Sequence, residues 1–577
     1  MSTIAGADDR GAPIKPATPQ PGNPPMNAPR TDSSAGATPT HNSEKHLDSS
    51  PADGLSRRVK IVAAVVVLGA IMSVLDTTIV NVALDTLSRD LHSPLSTIQW
   101  VSTGYLLSLA MVIPLAGWLS ERFGSKRVWM VSVAMFAFGS ALCGIAWSAE
   151  SLIFFRVLQG FGGGLIIPVG MSVLAQTAGP RHMGRVMSVI GVPMLLGPVL
   201  GPVLGGLIVT NAAWQWIFYV NVPIAALSLM LAARVLNSDE GRADVGRLDW
   251  LGVALVCPGL AGIVFGLAET ETSGGLSATI AWGPIVAGLV LVALFVRHAL
   301  RARGPLIDMR LFRSAGFSAA AASVFLLGAA LFGAMLLLPL YYQVDRGESA
   351  LSAGLLMAPQ GIGASLVMPI SGRLTDRIGG GRVALFGIAV MTLATIPLVG
   401  VGPTSSYAWL ALVLFVRGIG LGCSMMPTMA SAYAVVRSDQ VPGATSVLNT
   451  LQRLGGSIGT ALLAVVLSDQ ARAALGSGAA GSGGLIQTLS PAVRDHVAAP
   501  LASAFGTAFW WALGATLIAL IPAGVLAMTQ RHERQATDAS DGRESRSLKA
   551  PMANSTPAPS SLAHSSHAGT RSGVTIG

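Results

Sequence analysis

Residues 117–128 read GWLSERFGSKRV, and residues 372–383 read GRLTDRIGGGRV. Both have the form Gly-x-Leu-x-acid-Arg-x-Gly-x-x-Arg, and each lies between long apolar runs. The copies begin 255 residues apart, too long a period for a solenoid. A chain that places the same charged loop twice between apolar segments reads as a duplicated membrane protein with parallel halves. In each copy the glycines permit a tight turn. The acid, Glu121 or Asp376, is suited to a helix N-terminus or to a nearby arginine. Gly117, Arg122, Gly124 and Arg127 complete the first copy, and Gly372, Arg377, Gly379 and Arg382 the second. Simple topological decoration explains one basic loop, but not two with the same spacing. These residues are expected to form gating loops.

Composition supports the membrane reading. Hydrophobic residues make up 51% of the chain and charged residues 11%, against about 25% charged in soluble domains. Apolar runs near twenty residues exclude a string of soluble domains. The net charge of +9 comes largely from cations in short loops between those runs, so it signals topology and not nucleic-acid binding. Cys143, Cys257 and Cys423 fall inside apolar runs without ligand spacing, which predicts buried packing and neither a disulfide nor a metal site. The first 50 residues have no apolar core that would make a signal peptide. There is no Walker phosphate loop and no catalytic Ser or Cys motif, so neither ATP-driven transport nor enzymatic activity is expected.

The expected fold is all-α and membrane-spanning, because the runs are continuous and not alternating. Fourteen spans are expected. Six lie in an N-terminal bundle over 59–236 and six in a C-terminal bundle over 316–530. Two extra spans, near 250–268 and 280–299, form a hairpin inserted in the linker 237–315. Tails 1–58 and 531–577, rich in small and polar residues, are expected to be disordered. The stretch 469–500 is expected to be a long outside loop. Lys and Arg cluster before the first span and after the second, fourth, sixth, eighth, tenth and last, which puts both tails in the cytoplasm.

Several polar residues interrupt the spans. Asp76 lies about fifteen residues into the first, or ~22 Å along a helix. It is the one carboxylate expected deep in a span of either half. At that depth an acid must be protonated, paired or hydrated, which makes it a natural site for reversible protonation. The alternative is a structural ion pair. Thr77, Thr78 and Asn81 follow at spacings that suggest a polar cavity wall. Arg156 opens RVLQGFGGG in the fourth span and is echoed by Arg417 in RGIGLG. An arginine there needs a carboxylate, a carbonyl or water. The fifth span carries GPVLGPVLGG over 197–206, whose small residues at four-residue spacing make a smooth packing ridge. Gln343, Gln360, Asn449, Gln452 and Arg453 are further polar positions within spans, where helix–helix hydrogen bonding is the alternative to lining a cavity.

Together these motifs resemble the major facilitator superfamily, and within it the fourteen-span drug:proton antiporters of the EmrB/QacA type. The resemblance covers residues 60–528. Gly117 to Arg127 match the family loop, with Glu121 where Asp is usual. Leu75 to Leu84 match the first-span motif, with Asp85 in place of its final Pro. Gly197, Gly201, Pro202, Gly205 and Gly206 match the antiporter motif, which separates exporters from uptake symporters. Trp214 to Pro223 match the entrance to the sixth span, with Gln215 in place of Arg. The resemblance implies a proton-driven exporter of small lipophilic or cationic organic compounds that works by alternating access. A metabolite exporter or an uptake symporter of the same fold is the alternative. A non-transporting membrane sensor is disfavoured, since no sizeable soluble output domain is present. Asp76 is the implied protonation site and Arg156 the residue that responds to its charge. Thr77, Asn81, Gln343, Gln360, Asn449 and Gln452 are candidates for the substrate cavity. The proton is the expected coupling ion, with no cofactor and no metal. The expected partners are a small-molecule substrate and the lipid bilayer of the inner membrane, with a single chain as the working unit. A periplasmic adaptor and outer-membrane channel leave no trace in the sequence.

Overall fold

The computed structural model describes residues 56–179, 182–237, 241, 245–272, 279–475 and 491–549. Sixteen α-helices run through them, with no strand among the described residues. The N-terminal group is α1 (Arg57–Asp90), α2 (Leu95–Val112), α3 (Ala116–Phe123), α4 (Ser125–Gly144), α5 (Ala149–Ala178), α6 (Met183–Asn211), α7 (Trp216–Tyr219) and α8 (Asn221–Val235). A hairpin of α9 (Trp250–Thr272) and α10 (Thr279–Ala299) follows. The C-terminal group is α11 (Ala315–Leu340), α12 (Ala350–Ile378), α13 (Gly380–Val399), α14 (Tyr407–Ala434), α15 (Val441–Leu475) and α16 (Pro491–Lys549).

Local chemistry sets the boundaries. Ser56, Ser148, Ser314 and Ser349 cap α1, α5, α11 and α12, each hydroxyl accepting from a backbone N–H of the first turn. The duplicated loops are the same structure twice. Gly124 has φ 84° and Gly379 φ 98°, a region that favours glycine. Gly124 N donates to Ser120 O and Gly379 N to Thr375 O, both at 3.0 Å. One helix therefore ends and the next begins at a single residue.

Thirteen helical segments among the described residues are long and apolar enough to cross a membrane. The fourteenth expected span falls on α6, a 29-residue helix, some of whose side chains lie outside the described residues. Large apolar side chains such as Val131, Phe138, Leu393 and Ile521 point outward, as expected of a surface solvated by lipid tails. Trp147 before α5 and Trp250 at the start of α9 are also exposed, at helix ends where amphipathic rings suit an interface.

Within each group the helices pack mainly on one another. Between the groups, α6 packs along α12 and against α14, while α15 meets α3 and α5. The hairpin lies on α2 and α15, at the seam between the groups. Its helices approach closely at Gly259, Gly266 and Gly288, and Asp249 ties its base by accepting from Gly252 N and pairing with His298 at 2.8 Å.

Two sequence expectations change. The loop expected over 469–500 is shorter, because α15 reaches Leu475 and α16 starts at Pro491. The tail expected to be disordered from 531 continues as helix to Lys549. Extending an existing helix needs no new nucleus, so polar residues can propagate it past the apolar span. The expected disorder of 1–55 and 550–577 lies outside the described residues.

Candidate functional site

Asp76 sits in the twentieth position of α1, in the interior of the N-terminal group, 1% exposed. Arg156, in the second turn of α5, donates through Nη1 to Asp76 Oδ2 at 2.6 Å. Gln159 Nε2 and Asn221 Nδ2 both donate to Asp76 Oδ1 at 3.0 Å. Arg156 also donates to Gln159 Oε1 at 2.9 Å and, through Nε, to Val101 O at 3.2 Å. Its guanidinium lies 4.0 Å from the Tyr105 ring centroid, within cation–π range. A second layer holds the first: Asn221 donates to Ser140 Oγ at 3.1 Å, and Cys143 Sγ lies 3.5 Å from Gln159 Oε1. Five helices therefore converge on one carboxylate. The pair is buried and its groups are satisfied, which is the condition under which a buried ion pair persists.

None of this cluster lines the central cavity. That cavity, about 160 Å³, lies between the two groups. A space of ~150 Å³ accommodates a benzene-sized molecule, so a larger substrate requires the groups to part. Thr77, Gln360, Asn449 and Gln452 line it as the sequence suggests. Asn81 and Gln343 do not. Asn81 is exposed and accepts from Ser102 Oγ at 2.9 Å. Its place one turn beyond Thr77 carries it round and along α1, away from the cavity. Gln343 lies in a π-helical turn, Tyr341–Asp345, and donates to Pro339 O at 3.2 Å. Thr77 and Thr78 turn their hydroxyls back onto helix carbonyls, to Val74 O at 2.6 Å and Leu75 O at 3.0 Å. The apolar wall is rich in methionine, with Met335, Met357, Met368, Met425 and Met426. Such a wall adapts to ligands of many shapes.

The two groups close on each other at the end that carries the duplicated loops. Asp376 Oδ1 accepts from Gly184 N at 2.9 Å, and its other oxygen pairs with Arg185 at 3.1 Å. An acid from α12 thus caps the first turn of α6, where the helix dipole favours a negative charge. Gly372 and Gly184 abut, so a Cβ on either would press on the other's carbonyl. A Cβ on Gly117 would likewise press on the backbone of Gly443, 2.9 Å from its Cα, while one on Gly443 would meet nothing. Ser446 Oγ donates to Ile113 O at 2.7 Å beside it. Glu121 is half-buried at the end of α3, while Arg122, Arg127, Arg377 and Arg382 are exposed. Gly124 and Gly379 supply the turns described above.

The glycines of α6 form a ridge against α1. A Cβ at Gly197 would strike Val74, one at Gly201 would strike Thr78 Oγ1, and one at Gly205 would meet Ile79 O at 3.0 Å. Gly206 faces open space and takes no part. α6 continues through Pro202, whose side chain lies outside the described ones.

Sequence reasoning missed several residues. Gln159 lies one turn from Arg156 on the same face, a spacing that marks it. Asn221 belongs to the sixth-span entrance motif, but nothing in that motif ties it to Asp76, and Tyr105 reads as ordinary apolar packing. Asp345, the last residue of the π-helical turn, was not singled out either. It is 4% exposed, and neither of its oxygens has a hydrogen-bond partner among the described residues. Its position at the end of a span made it read as a loop residue.

Comparisons with known proteins agree with this architecture. The model of the Major Facilitator Superfamily matches residues 66–460. A multidrug resistance protein B homolog of Mycobacterium tuberculosis is 39% identical over 493 residues, covering 82% of this chain and 91% of that protein. The multidrug export protein EmrB of Escherichia coli is 30% identical over 404 residues, covering 70% of this chain and 79% of its own length. The crystal structure of the human organic anion transporter MFSD10 superposes with a TM-score of 0.53 at 17% identity, covering 81% of this chain and 99% of that one, a likeness of fold alone. The chain belongs to the major facilitator superfamily.

Proposed function

We propose that this transporter exports small lipophilic organic compounds across the cytoplasmic membrane, driven by inward proton movement. The observation that carries the reading is the sealed Asp76–Arg156 pair. Protonating Asp76 removes the partner of a buried guanidinium, a state the surrounding helices cannot hold unchanged. A proton therefore biases the conformation and does not merely bind. The route to the rest of the molecule is short. Asp76 is carried by α1, α1 rests on the glycine ridge of α6, and the N-terminus of α6 carries Arg185 and Gly184, which bind Asp376 of the other group. A shift of α1 on α6 acts on that closure directly. Both tails face the cytoplasm in this reading, from the Lys/Arg asymmetry of the loops. The loop end is then the cytoplasmic one, and the closed state faces outward. The names of the multidrug relatives and the methionine-rich cavity support an organic, lipophilic substrate.

The test is transport into inverted membrane vesicles, with a panel of lipophilic dyes and antibiotics and an imposed proton gradient. Accumulation should require the gradient and collapse with an uncoupler. Uptake that ignores the gradient removes the proton from the reading; no uptake of any lipophilic compound removes the substrate class.

A further inference from the structure

Arg453, on α15, lines the central cavity and is the one charged residue among those that line it. It makes no hydrogen bond or ion pair among the described residues, and the one group it is seen to interact with electrostatically is the hydroxyl of Tyr105, which carries no opposite charge. A guanidinium left without an anion in a largely apolar cavity is in a costly place unless something answers its charge. Nearby acids do not. Asp76 is held by Arg156, Gln159 and Asn221.

A second buried arginine stands behind the same wall. Arg417 is 2% exposed and donates through Nη1 to Gln360 Oε1 at 2.7 Å, while its Nε has no partner among the described residues. The Gln360 carbonyl is thereby turned toward Arg417, which leaves its amide N–H groups for the cavity. Asn449 and Gln452 flank Arg453 on the same helix and also line the cavity. The C-terminal wall thus presents one full positive charge, backed by another through a glutamine, with amide groups around it. The opposing wall offers threonine hydroxyls already bonded to their own helix.

We propose that the cavity binds amphipathic organic anions, with a carboxylate or sulfonate head on Arg453 and an aromatic or aliphatic body against the methionines. A planar, forked guanidinium matches such a head geometrically. A cationic compound would place like charges together in a low-dielectric space. The inference rests on the transport reading only in locating the substrate in this cavity; the binding itself requires no transport.

The experiment is calorimetric titration of the purified full-length protein in nanodiscs of uncharged lipid, with empty nanodiscs subtracted. The probes are phenylmethanesulfonate, benzylammonium and the neutral benzyl alcohol, equal in body, different in charge, and with a ring of the size the closed cavity accommodates. The sulfonate should bind about tenfold or more tighter than the ammonium. Arg453→Gln should abolish that preference and leave the neutral probe within about twofold. Arg453→Lys should restore part of it, since charge returns without the fork. Equal binding of the two ions to the unaltered protein overturns the inference, and this comparison needs no variant to fold. A sulfonate preference that survives in folded Arg453→Gln overturns it too. Sulfonate binding without gradient-driven transport sinks the export reading and leaves this one standing. Transport of lipophilic compounds without anion preference does the reverse.

Discussion

At the scale of the residue, Asp76 is decided by its neighbours. Three donors hold its two oxygens, from Arg156, Gln159 and Asn221. Removing one member of a buried pair costs about 3–5 kcal/mol, because the other charge is left unanswered. Asp76→Asn is therefore expected to lower thermal stability markedly and to abolish gradient-driven transport. Asp76→Asn combined with Arg156→Gln removes both charges and should recover most of the stability and none of the coupling. Thermal unfolding in detergent and vesicle transport separate the two effects. Gradient-driven transport by the double variant would mean that Asp76 is a structural ion pair. The arginine partner was visible in the sequence as a charge needing an answer. Asn221 was visible only as part of the sixth-span entrance motif, since at 145 residues away no spacing ties it to Asp76.

At the scale of the element, α1 and α6 slide or lock according to what stands between them. Gly201 leaves room for Thr78, and Gly197 for Val74. Gly201→Val puts branched carbon where Thr78 Oγ1 sits, and overpacking of this kind costs about 1–3 kcal/mol. Transport should fall more than stability under the proposed shift of α1 on α6. Adding Thr78→Ala should restore transport in part, as measured by initial rates. A double variant no better than the single one would place the damage elsewhere. The loop acid obeys a related logic. Asp376→Asn keeps an acceptor for Gly184 N and loses only the Arg185 pair, whereas Asp376→Ala loses both, leaving orphaned groups at a cost of about 1–3 kcal/mol. The expected order of transport activity is Asp, Asn, Ala; equal rates for all three would reduce the loop to a topology signal. Sequence alone marked both loops as one motif. It could not show that Asp376 reaches the first turn of α6 in the other group, because that depends on which helix end lies opposite.

At the scale of the whole molecule, the fold was legible because lipid imposes one rule everywhere: every spanning backbone group must be satisfied internally, so twenty apolar residues mean a helix. The duplication was legible because Gly124 and Gly379 each need the same backbone angle at the same point in the motif. The cavity was less so. Thr77, Gln360, Asn449 and Gln452 reach it, but Asn81 and Gln343 do not, because a polar residue in a span says only that it avoids lipid. Which state the molecule occupies was not legible at all. Closure at the loop end follows from backbone against backbone at Gly117–Gly443 and Gly184–Gly372, contacts that a side chain on Gly117, Gly184 or Gly372 would hold apart. This gives a prediction for the whole cycle. Gly117→Val should wedge α3 from α15 and shift the population toward a state open at the loop end. Ser446 lies beside that contact, 1% exposed and bonded to Ile113 O. A thiol introduced by Ser446→Cys should therefore react slowly with a membrane-impermeant maleimide applied from the loop side. Adding Gly117→Val should raise the labelling rate by about tenfold, since relief of a closure worth ~1.4 kcal/mol shifts the open fraction by that factor. The two variants labelling at the same slow rate would mean that the glycine contact does not hold the two groups closed.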